Sequence, residues 1–439
     1  MRLRLHFSPV GRTLPAPATC LPPSPPAKLP RCPELRTPAP PIALSSRPDP
    51  LPLAPHRSAW PPDAHPDHPP TPRVRQVSLG DIFAPGMLRV PVFRIPALLT
   101  LPDGIALAFS EARPGLHDSG VINLVMRRST DNGKTWSSAS VVVEGDMVGQ
   151  RGTSTVGNPT AVYDASTKKI WLMLCTNHSR DVEWQIHADC GIDSRRVWIC
   201  QSADLGTTWS APHEITSSVK LRGWTWYATG PGVGIQLASG RLVMPANHAE
   251  NVHERDHPYL VDRKRSRMVA HIIYSDDHGE SWQLGGCAAK HTNETTVGVF
   301  PDGQLILNSR DWTGRFLRQI QYSNDEGKTW GSPRHDPLLV EPEPQGCQGS
   351  LLVIPHKERP KGTTFFCNPS SDRREMLTVR RSDDGGHSWR ASFCLEPGAS
   401  AYSSLGLLAD GALGVLFERG DRISFARIPS HPNGPLGSF

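Results

Sequence analysis

The sequence predicts an all-β protein, a six-bladed β-propeller preceded by a disordered, proline-rich N-terminal tail. Three observations support this fold class: an eight-residue phrase occurs five times, short alternating apolar runs lie between the copies, and no segment has a long apolar stripe of helical period. Repeating units of about 50 to 70 residues with four short strands each are typical of propeller blades.

The repeated phrase is Ser-x-Asp-x-Gly-x-Ser/Thr-Trp, which we call the Asp box. Its copies begin at Ser129, Ser202, Ser275, Ser323 and Ser382. Ser and Asp side chains can accept hydrogen bonds from nearby backbone N–H groups, and the glycine supplies a positive φ that closes a hairpin. A calcium loop needs several spaced oxygen ligands, whereas the box has one fixed acid. We therefore predict a folding element and not an active site.

The first element along the chain, residues 1–75, differs in composition from the rest. It holds 22 of the 44 prolines, and its ten Lys and Arg outnumber its four Asp and Glu. Such a segment cannot bury enough apolar surface to offset its ordering entropy, so we expect it to be disordered. Subtracting its charge of +6 from the +5 of the whole chain leaves −1 for the body. Net charge therefore gives no support for nucleic-acid binding.

The tail also bears on localisation, which the sequence leaves open. Residues 1–7 lack the apolar stretch of a secretory signal, although secretion through an atypical segment is not excluded. The tail is basic and has no acidic residue before Glu34, which favours an organellar targeting segment or, equally, a linker. No run reaches the roughly 18 apolar residues of a membrane-spanning helix, so we expect a soluble body.

The body, residues 76–430, would form the propeller, with residues 431–439 as a C-terminal tail. Five blades carry an Asp box. Residues 92–109 resemble blade material without a box, and Asp-Gly turns at Asp103, Asp302 and Asp410 separate further apolar runs. Six blades therefore fit the sequence better than five.

Candidate site residues begin with Arg94, in the segment Val-Phe-Arg-Ile-Pro. A guanidinium buried in a strand is costly unless it meets an anion, although a single such arginine is more often a member of a structural ion pair. Further polar segments follow in chain order. They contain Arg113 and Asp118, Glu294, Arg310, the adjacent Arg373 and Arg374, and Tyr402.

The Arg-Ile-Pro segment, the five Asp boxes, Arg310 and Tyr402, in this order, resemble the exo-α-sialidase family of six-bladed propellers, bacterial type, over residues 88–428. The resemblance implies that Arg94, Arg310 and Arg374 clamp the carboxylate of a sialic acid, for which forked arginine hydrogen bonds are well suited. Arg374 fits the family spacing better than Arg373, and only one of two successive strand residues can point into a site.

The same resemblance implies that Tyr402 is the nucleophile, that Glu294 removes its proton, and that Asp118 is the general acid and base. Arg113 would contact the ring substituent at C4. Sialidases with a tyrosine nucleophile depart from the usual pair of carboxylates, and two successive displacements retain configuration overall. No cofactor or metal is implied, because the 18 histidines show no paired ligand spacing.

The expected partners are sialylated glycoconjugates or oligosaccharides, and we expect a monomer with no nucleic-acid partner and no transmembrane segment. N-acetylneuraminic acid, its deaminated relative Kdn and the shorter Kdo are not distinguished by the sequence. Two alternatives to a hydrolase stay open: a non-catalytic carbohydrate-binding propeller and a trans-sialidase. Residues 181–190 and 224–227 are candidates for the rim that contacts the glycerol side chain or the aglycone.

Overall fold

A computed structural model describes residues 77–146, 148, 153–250 and 268–429. The predicted tails, residues 1–75 and 431–439, lie outside the described residues. Within these residues, strands dominate, with two one-turn helices, α1 (Glu183–His187) and α2 (Thr216–Val219), and two 3-10 turns, Met87–Arg89 and Pro102–Gly104. Neither helix is long and apolar enough to cross a membrane.

The strands form six sheets, each of which is one blade. The first strand, β1 (Ser78–Phe83), belongs to blade 6. Blade 1 contains β2 (Val92–Thr100), β3 (Ala106–Arg113), β4 (Asn123–Ser129) and β5 (Ser140–Val143). Blade 2 contains β6 (Ser154–Asp164), β7 (Lys169–His178), β8 (Arg196–Ser202), β9 (His213–Glu214) and, out of chain order, β11 (Gly232–Val233).

The other blades follow in the same direction. Blade 3 contains β10 (Trp224–Thr229), β12 (Ile235–Gln236), β13 (Leu242–Glu250), β14 (Met268–Ser275) and β15 (Gln283–Lys290). Blade 4 contains β16 (Thr292–Val299), β17 (Leu305–Asp311), β18 (Leu317–Ser323) and β19 (Arg334–Val340). Blade 5 contains β20 (Ser350–His356), β21 (Arg359–Pro369), β22 (Glu375–Ser382) and β23 (Ala391–Ala399). Blade 6 contains β24 (Ser403–Leu407), β25 (Leu413–Arg419) and β26 (Arg422–Ile428).

The ring is closed by strands from the two ends of the propeller. Strand β1 pairs antiparallel with β26, with Ser78 opposite Arg427, and so supplies the fourth strand of blade 6. Strand β2 of blade 1 packs against β24 of blade 6 and β6 of blade 2. In the same way, β20 of blade 5 packs against β16 of blade 4 and β24 of blade 6. Residues at the start of each blade therefore meet near the centre of the ring. The predicted six-bladed propeller is confirmed.

The hydrophobic core is divided among the six interfaces between neighbouring blades. Between blades 1 and 2, for example, Leu107 and Phe109 pack with Leu172, and all three are fully buried. Equivalent clusters lie at the other five interfaces. A strand that is covered on both faces by neighbouring blades has apolar residues at most positions. Such strands appear in the sequence as short apolar runs.

The Asp boxes form the turns that follow the third strand of blades 1 to 5. In the first box, Ser129 Oγ accepts a hydrogen bond from the backbone N–H of Gly133 at 2.9 Å. Asp131 accepts from the backbone N–H of Thr135 at 2.9 Å and from its hydroxyl at 2.6 Å. The other four boxes repeat these contacts. The turn chemistry predicted from the phrase is present in every copy.

Each box glycine has a second role that turn chemistry alone does not reveal. Its φ is positive, and its α-carbon faces a side chain of the preceding blade. A Cβ placed on Gly206 would lie 2.6 Å from Leu107, and one on Gly279 would lie 2.0 Å from the Trp171 ring. Each box tryptophan also packs into the cluster shared with the preceding blade. The boxes therefore join adjacent blades.

We expect Gly279→Ala to destabilise the protein by about 1 to 3 kcal/mol more than Gly240→Ala, because a forced overlap adds to the backbone strain. Both glycines have φ +92°, but a Cβ at Gly240 would meet no atom within 4 Å. Gly240→Ala therefore measures the cost of the left-handed backbone alone. Urea unfolding of the two variants tests this prediction. Equal losses in the free energy of unfolding would show that Trp171 moves aside without cost.

Candidate functional site

A pocket of about 410 Å³ lies where the six blades meet. Every blade contributes to its lining: Arg94 from blade 1, Asn158 from blade 2, Trp226 from blade 3, Glu294 from blade 4, Arg374 from blade 5 and Tyr402 from the segment entering blade 6. All seven site residues predicted from the sequence line this one pocket: Arg94, Arg113, Asp118, Glu294, Arg310, Arg374 and Tyr402.

A bulge in β2 and a buried carboxylate fix Arg94. The register of β2 shifts between Arg94 and Ala97, and Ile95 adopts φ +60°, which is unusual for a β-branched residue. The N–H of Ile95 donates to Glu418 Oε1 at 2.8 Å, and Arg94 Nε donates to the same oxygen at 3.1 Å. Glu418 is 3% exposed. A single carboxylate therefore holds both the bulge and the guanidinium.

The same arrangement recurs one blade further on. Glu111 accepts a hydrogen bond from the N–H of Asn158 at 2.7 Å, at a second bulge that precedes a proline in β6. Its other oxygen accepts from Arg113 Nε at 2.7 Å. A Cβ on Gly157 would lie 2.6 Å from Glu111, so the glycine leaves room for this carboxylate. Glu111 thus orients Arg113 as Glu418 orients Arg94.

Asp118 lies between these two arginines. Its Oδ1 accepts from Arg113 Nη1 at 2.5 Å and from Arg94 Nη1 at 3.3 Å, and its side chain is 56% exposed. Burial acts to raise the pKa of Asp118, but the positive charges of Arg113, Arg94 and Arg195, together with the hydrogen bond from Arg113, outweigh it and hold the pKa below its ordinary value. The carboxyl group is thus reachable from solvent and held close to the floor of the pocket.

Tyr402, Glu294 and Arg310 form a buried hydrogen-bonded group. Tyr402 Oη donates to Glu294 Oε1 at 2.5 Å, and Arg310 Nη1 donates to Glu294 Oε2 at 2.5 Å and to Tyr402 Oη at 3.2 Å. Burial raises the pKa of Tyr402 well above its ordinary value, and the Glu294 charge raises it further, whereas the nearby arginines oppose this. The phenol is therefore neutral, with an acceptor for its proton already in contact.

Arg374, and not Arg373, lines the pocket. Arg374 Nη2 donates to the carbonyl of Gly346 at 3.3 Å, and its guanidinium carbon lies 5.6 Å from the centroid of the Tyr402 ring. Arg94 lies at a similar distance, 5.4 Å, from that centroid. Arg373 is exposed to solvent, as expected if only one of two successive residues faces inward. Arg94, Arg310 and Arg374 therefore surround one tyrosine.

The segments predicted to form the rim have different positions. Helix α1, within residues 181–190, places Trp184 beside a second cavity of about 360 Å³, which shares Asp118 and Trp312 with the central pocket. Trp226 lines the central pocket itself, with the His187 ring stacked on it at 5.3 Å. Tyr227 is fully buried behind the pocket. Within the described residues, no group of three His, Cys, Asp or Glu side chains could hold a metal ion.

Sequence reasoning missed four residues that build the site: Glu111, Asn158, Arg195 and Glu418. Glu418 lies 324 residues after Arg94, so no local pattern connects them. Asn158 was detectable in principle, because Gly157-Asn158-Pro159 occupies in blade 2 the position of Arg94-Ile95-Pro96 in blade 1.

Comparisons with known proteins agree with the fold. The family model described as a BNR repeat-like domain matches residues 105–415. A sialidase from Micromonospora viridifaciens is 30% identical over 79% of this chain and 53% of its own length, and one from Paraclostridium sordellii is 30% identical over 77% and 84%, respectively. The solved structure of the Hadza microbial sialidase Hz136 has a TM-score of 0.69 and 29% identity, over 79% of this chain and 67% of that one.

The chain therefore spans little more than half the length of the Micromonospora relative and most of the Paraclostridium one. The residues matched by the family model run from β3 into β25 and include six of the seven predicted site residues, all except Arg94. An identity of 30% over such lengths, together with the family match, is enough to assign the fold family. The chain belongs to the sialidase family.

Proposed function

We propose that this protein is a retaining exo-glycosidase that hydrolyses terminal α-linked sialic acid, or a related 2-keto-3-deoxy sugar acid, from glycoconjugates. The observation that carries the proposal is the buried contact of 2.5 Å between Tyr402 Oη and Glu294 Oε1, inside a pocket that also holds three arginines. A phenol paired with a base is the arrangement of an activated nucleophile. The sialidase relatives support the same substrate class.

The three arginines bind the carboxylate of the sugar acid. Arg94 and Arg310 are fixed by Glu418 and Glu294, respectively, whereas Arg374 has no ion-pair partner among the described residues. Planar guanidinium groups form paired, charge-assisted hydrogen bonds to a carboxylate, so the substrate itself completes the charge balance at Arg374.

Tyr402 attacks the anomeric carbon while Glu294 takes its proton. A sialic acid carries its carboxylate on the anomeric carbon, so an anionic nucleophile would be repelled, and a neutral phenol avoids that cost. The raised pKa of Tyr402 keeps the phenol neutral until attack. As the C–O bond to tyrosine forms, the bond to the aglycone oxygen breaks.

Asp118 supplies the proton for the departing oxygen and then removes one from the water that hydrolyses the tyrosyl intermediate. Its exposed position, between the central pocket and the cavity next to Trp184, suits an aglycone that leaves toward that cavity. Each displacement inverts the anomeric carbon, so the two displacements together give net retention of configuration.

Hydrolysis of a natural substrate should fall as pH rises, because Asp118 must be protonated to act as an acid. Arg113 is the largest of the influences that lower its pKa, so Arg113→Leu should move the alkaline limb of the kcat profile to higher pH. The profile is measured with 3′-sialyllactose, whose leaving group needs protonation. Arg89→Leu, an exposed arginine, is the control. An unmoved limb in Arg113→Leu would assign it to another group.

The proposal is tested by release of 4-methylumbelliferone from α-glycosides of N-acetylneuraminic acid, Kdn and Kdo. We expect release of 4-methylumbelliferone from at least one of these glycosides. NMR should show the α-anomer of the free sugar acid as the first sugar product. Added lactose would reveal transfer to an acceptor in place of water. Folded protein that binds these sugars but releases no product would instead be a carbohydrate-binding propeller.

A further inference from the structure

Arg318 is a fully buried arginine that lies in β18 and does not line the central pocket. All three of its guanidinium nitrogens donate hydrogen bonds. Nη1 donates to Glu341 Oε1 at 2.7 Å and to the carbonyl of Cys347 at 2.9 Å. Nε and Nη2 donate to the side chain and the carbonyl of Asn308 at 2.6 Å and 2.7 Å, respectively. Because burying a charged pair is costly, a guanidinium at this depth calls for an explanation.

The contacts of Arg318 close a loop between β19 and β20, which we call the 341–347 loop. Its first residue is Glu341 and its last is Cys347, so a single nitrogen of Arg318 joins the two ends. Between these ends, residues 343–346 line the central pocket. The loop is therefore a wall of the pocket that is held from behind by a buried ion pair.

Two arginines of the carboxylate clamp donate to the backbone of this loop. Arg310 Nε donates to the carbonyl of Gln345 at 2.7 Å, and Arg374 Nη2 donates to that of Gly346 at 3.3 Å. A Cβ on Gly346 would lie 3.1 Å from Glu341 Oε2 and 3.2 Å from Cγ of Arg310, so the loop packs closely against both. The positions of the two carbonyls therefore set the orientation of both guanidinium groups.

The same buried pair also fixes the strand that carries Arg310. Glu341 Oε2 accepts a hydrogen bond from the backbone N–H of Asp311 at 2.7 Å, and Arg318 binds Asn308. Asn308 and Asp311 lie on either side of Arg310 in β17. Arg310 is thus held at its backbone by the ion pair and at its guanidinium by the loop that the ion pair closes.

We propose that Arg318 and Glu341 are positioning residues for the carboxylate clamp: by closing the 341–347 loop, they orient the two clamp arginines that donate to it. The inference rests on the proposed function, because it takes a sugar carboxylate as the group that the clamp binds. Paired hydrogen bonds from a guanidinium are directional, and a binding site needs its groups within about 0.5 Å of the productive geometry. A loop that is no longer closed should therefore weaken binding of the carboxylate.

The test uses a double variant, Arg318→Met with Glu341→Leu. Replacing a buried ion pair by apolar residues of similar size is often neutral or stabilising, so this variant should fold. It has no donor for the Cys347 carbonyl and no acceptor for the Asp311 N–H, so the loop loses its closure. We expect KM for the best 4-methylumbelliferyl glycoside to rise by at least about tenfold. Kd for free N-acetylneuraminic acid, Kdn or Kdo, measured by calorimetry, should rise by a similar factor.

The split between KM and kcat distinguishes positioning from general damage. Tyr402 Oη and Glu294 Oε1 contact each other directly at 2.5 Å, without help from the loop. We therefore expect kcat of the double variant to stay within about threefold of the wild-type value. A variant that was merely unstable would lose active protein and would leave KM unchanged.

Glu341→Gln decides the question if the double variant does not fold. An amide has one oxygen acceptor, whereas the carboxylate accepts from two donors, Arg318 Nη1 and the Asp311 N–H. Whichever way the amide turns, its NH₂ group faces one of these donors and one contact is lost. We expect KM and Kd to rise by at least about threefold, measured at a temperature at which the variant is folded.

Arg241→Met is the matched control. Arg241 is 7% exposed and donates to the two oxygens of Asp276 at 2.7 Å and 2.9 Å, outside the central pocket. Its loss should lower the urea concentration at the midpoint of unfolding without a change in KM or Kd.

Two results would overturn the inference. One is an unchanged KM and Kd in the double variant, or in Glu341→Gln where the double variant does not fold. The other is an equal rise in Arg241→Met, which would make the effect a general loss of stability. If wild-type protein binds a sugar acid but hydrolyses none of the glycosides, only the proposed function fails, and the calorimetric comparison decides the inference. If folded wild-type protein binds none of the three sugar acids, both fail.

Discussion

Tyr402→Phe should lower kcat by about three orders of magnitude or more, because it removes the oxygen that forms the covalent intermediate. The three arginines of the carboxylate clamp remain, so binding of the free sugar acid should change little. The variant should also fold, since Glu294 keeps its contact with Arg310 at 2.5 Å. Turnover of the 4-methylumbelliferyl glycosides and calorimetric binding of the sugar acid measure the two effects.

Tyr322→Phe is the matched control for this prediction. This substitution also removes a phenolic oxygen, but one that lies outside the pocket, where it donates to the carbonyl of Gly385 at 3.1 Å. We expect it to leave kcat unchanged. A near wild-type rate in Tyr402→Phe would exclude the tyrosine as nucleophile, and equal losses in both variants would point to damage of the propeller.

The propeller could be predicted because its signals are local. An Asp box encodes its turn within eight residues, and the five copies fix the number and order of most blades. The boxed turns form as the phrase predicts, with Ser129 and Asp131 bonded to backbone N–H groups. What the phrase does not contain is the identity of the facing side chain, such as Trp171 against Gly279, because that residue belongs to another blade.

The site was predictable only through the resemblance of its motifs to the exo-α-sialidase family. Arg94, Glu294 and Tyr402 are distant in sequence and meet only because each lies at the start of a blade, near the centre of the ring. The carboxylates that orient the pocket arginines were not predicted, because no sequence pattern indicates which residue a buried Glu in a strand will contact. Glu418 and Glu111 could be assigned only from contacts between different strands.

Glu418→Gln should reduce both stability and substrate binding, because it removes the charge that balances the buried Arg94. Breaking one partner of a buried ion pair costs about 3 to 5 kcal/mol, and we expect the lower end because Asp118 also contacts Arg94. Arg94 would lose its fixed position, so KM should rise by about tenfold or more, with a smaller change in kcat. Urea unfolding, and kinetics at a temperature at which the variant is folded, measure these effects.

The pH dependence of this loss distinguishes a charge effect from a packing defect. Burial acts to raise the pKa of Glu418, but Arg94, the N–H of Ile95, Arg374 and Arg113 together outweigh it, so the folded pKa lies below the ordinary value of 4.5. The stability that the charge contributes is therefore fully present above pH 4.5 and is lost as pH falls through the folded pKa. The difference between wild-type and Glu418→Gln protein should shrink over that range. Glu396→Gln, at an ion pair with the half-exposed Arg419, is the control and should cost less than about 1 kcal/mol. A difference that stays constant with pH would mean that Glu418 acts through its shape and hydrogen bonds and not through its charge.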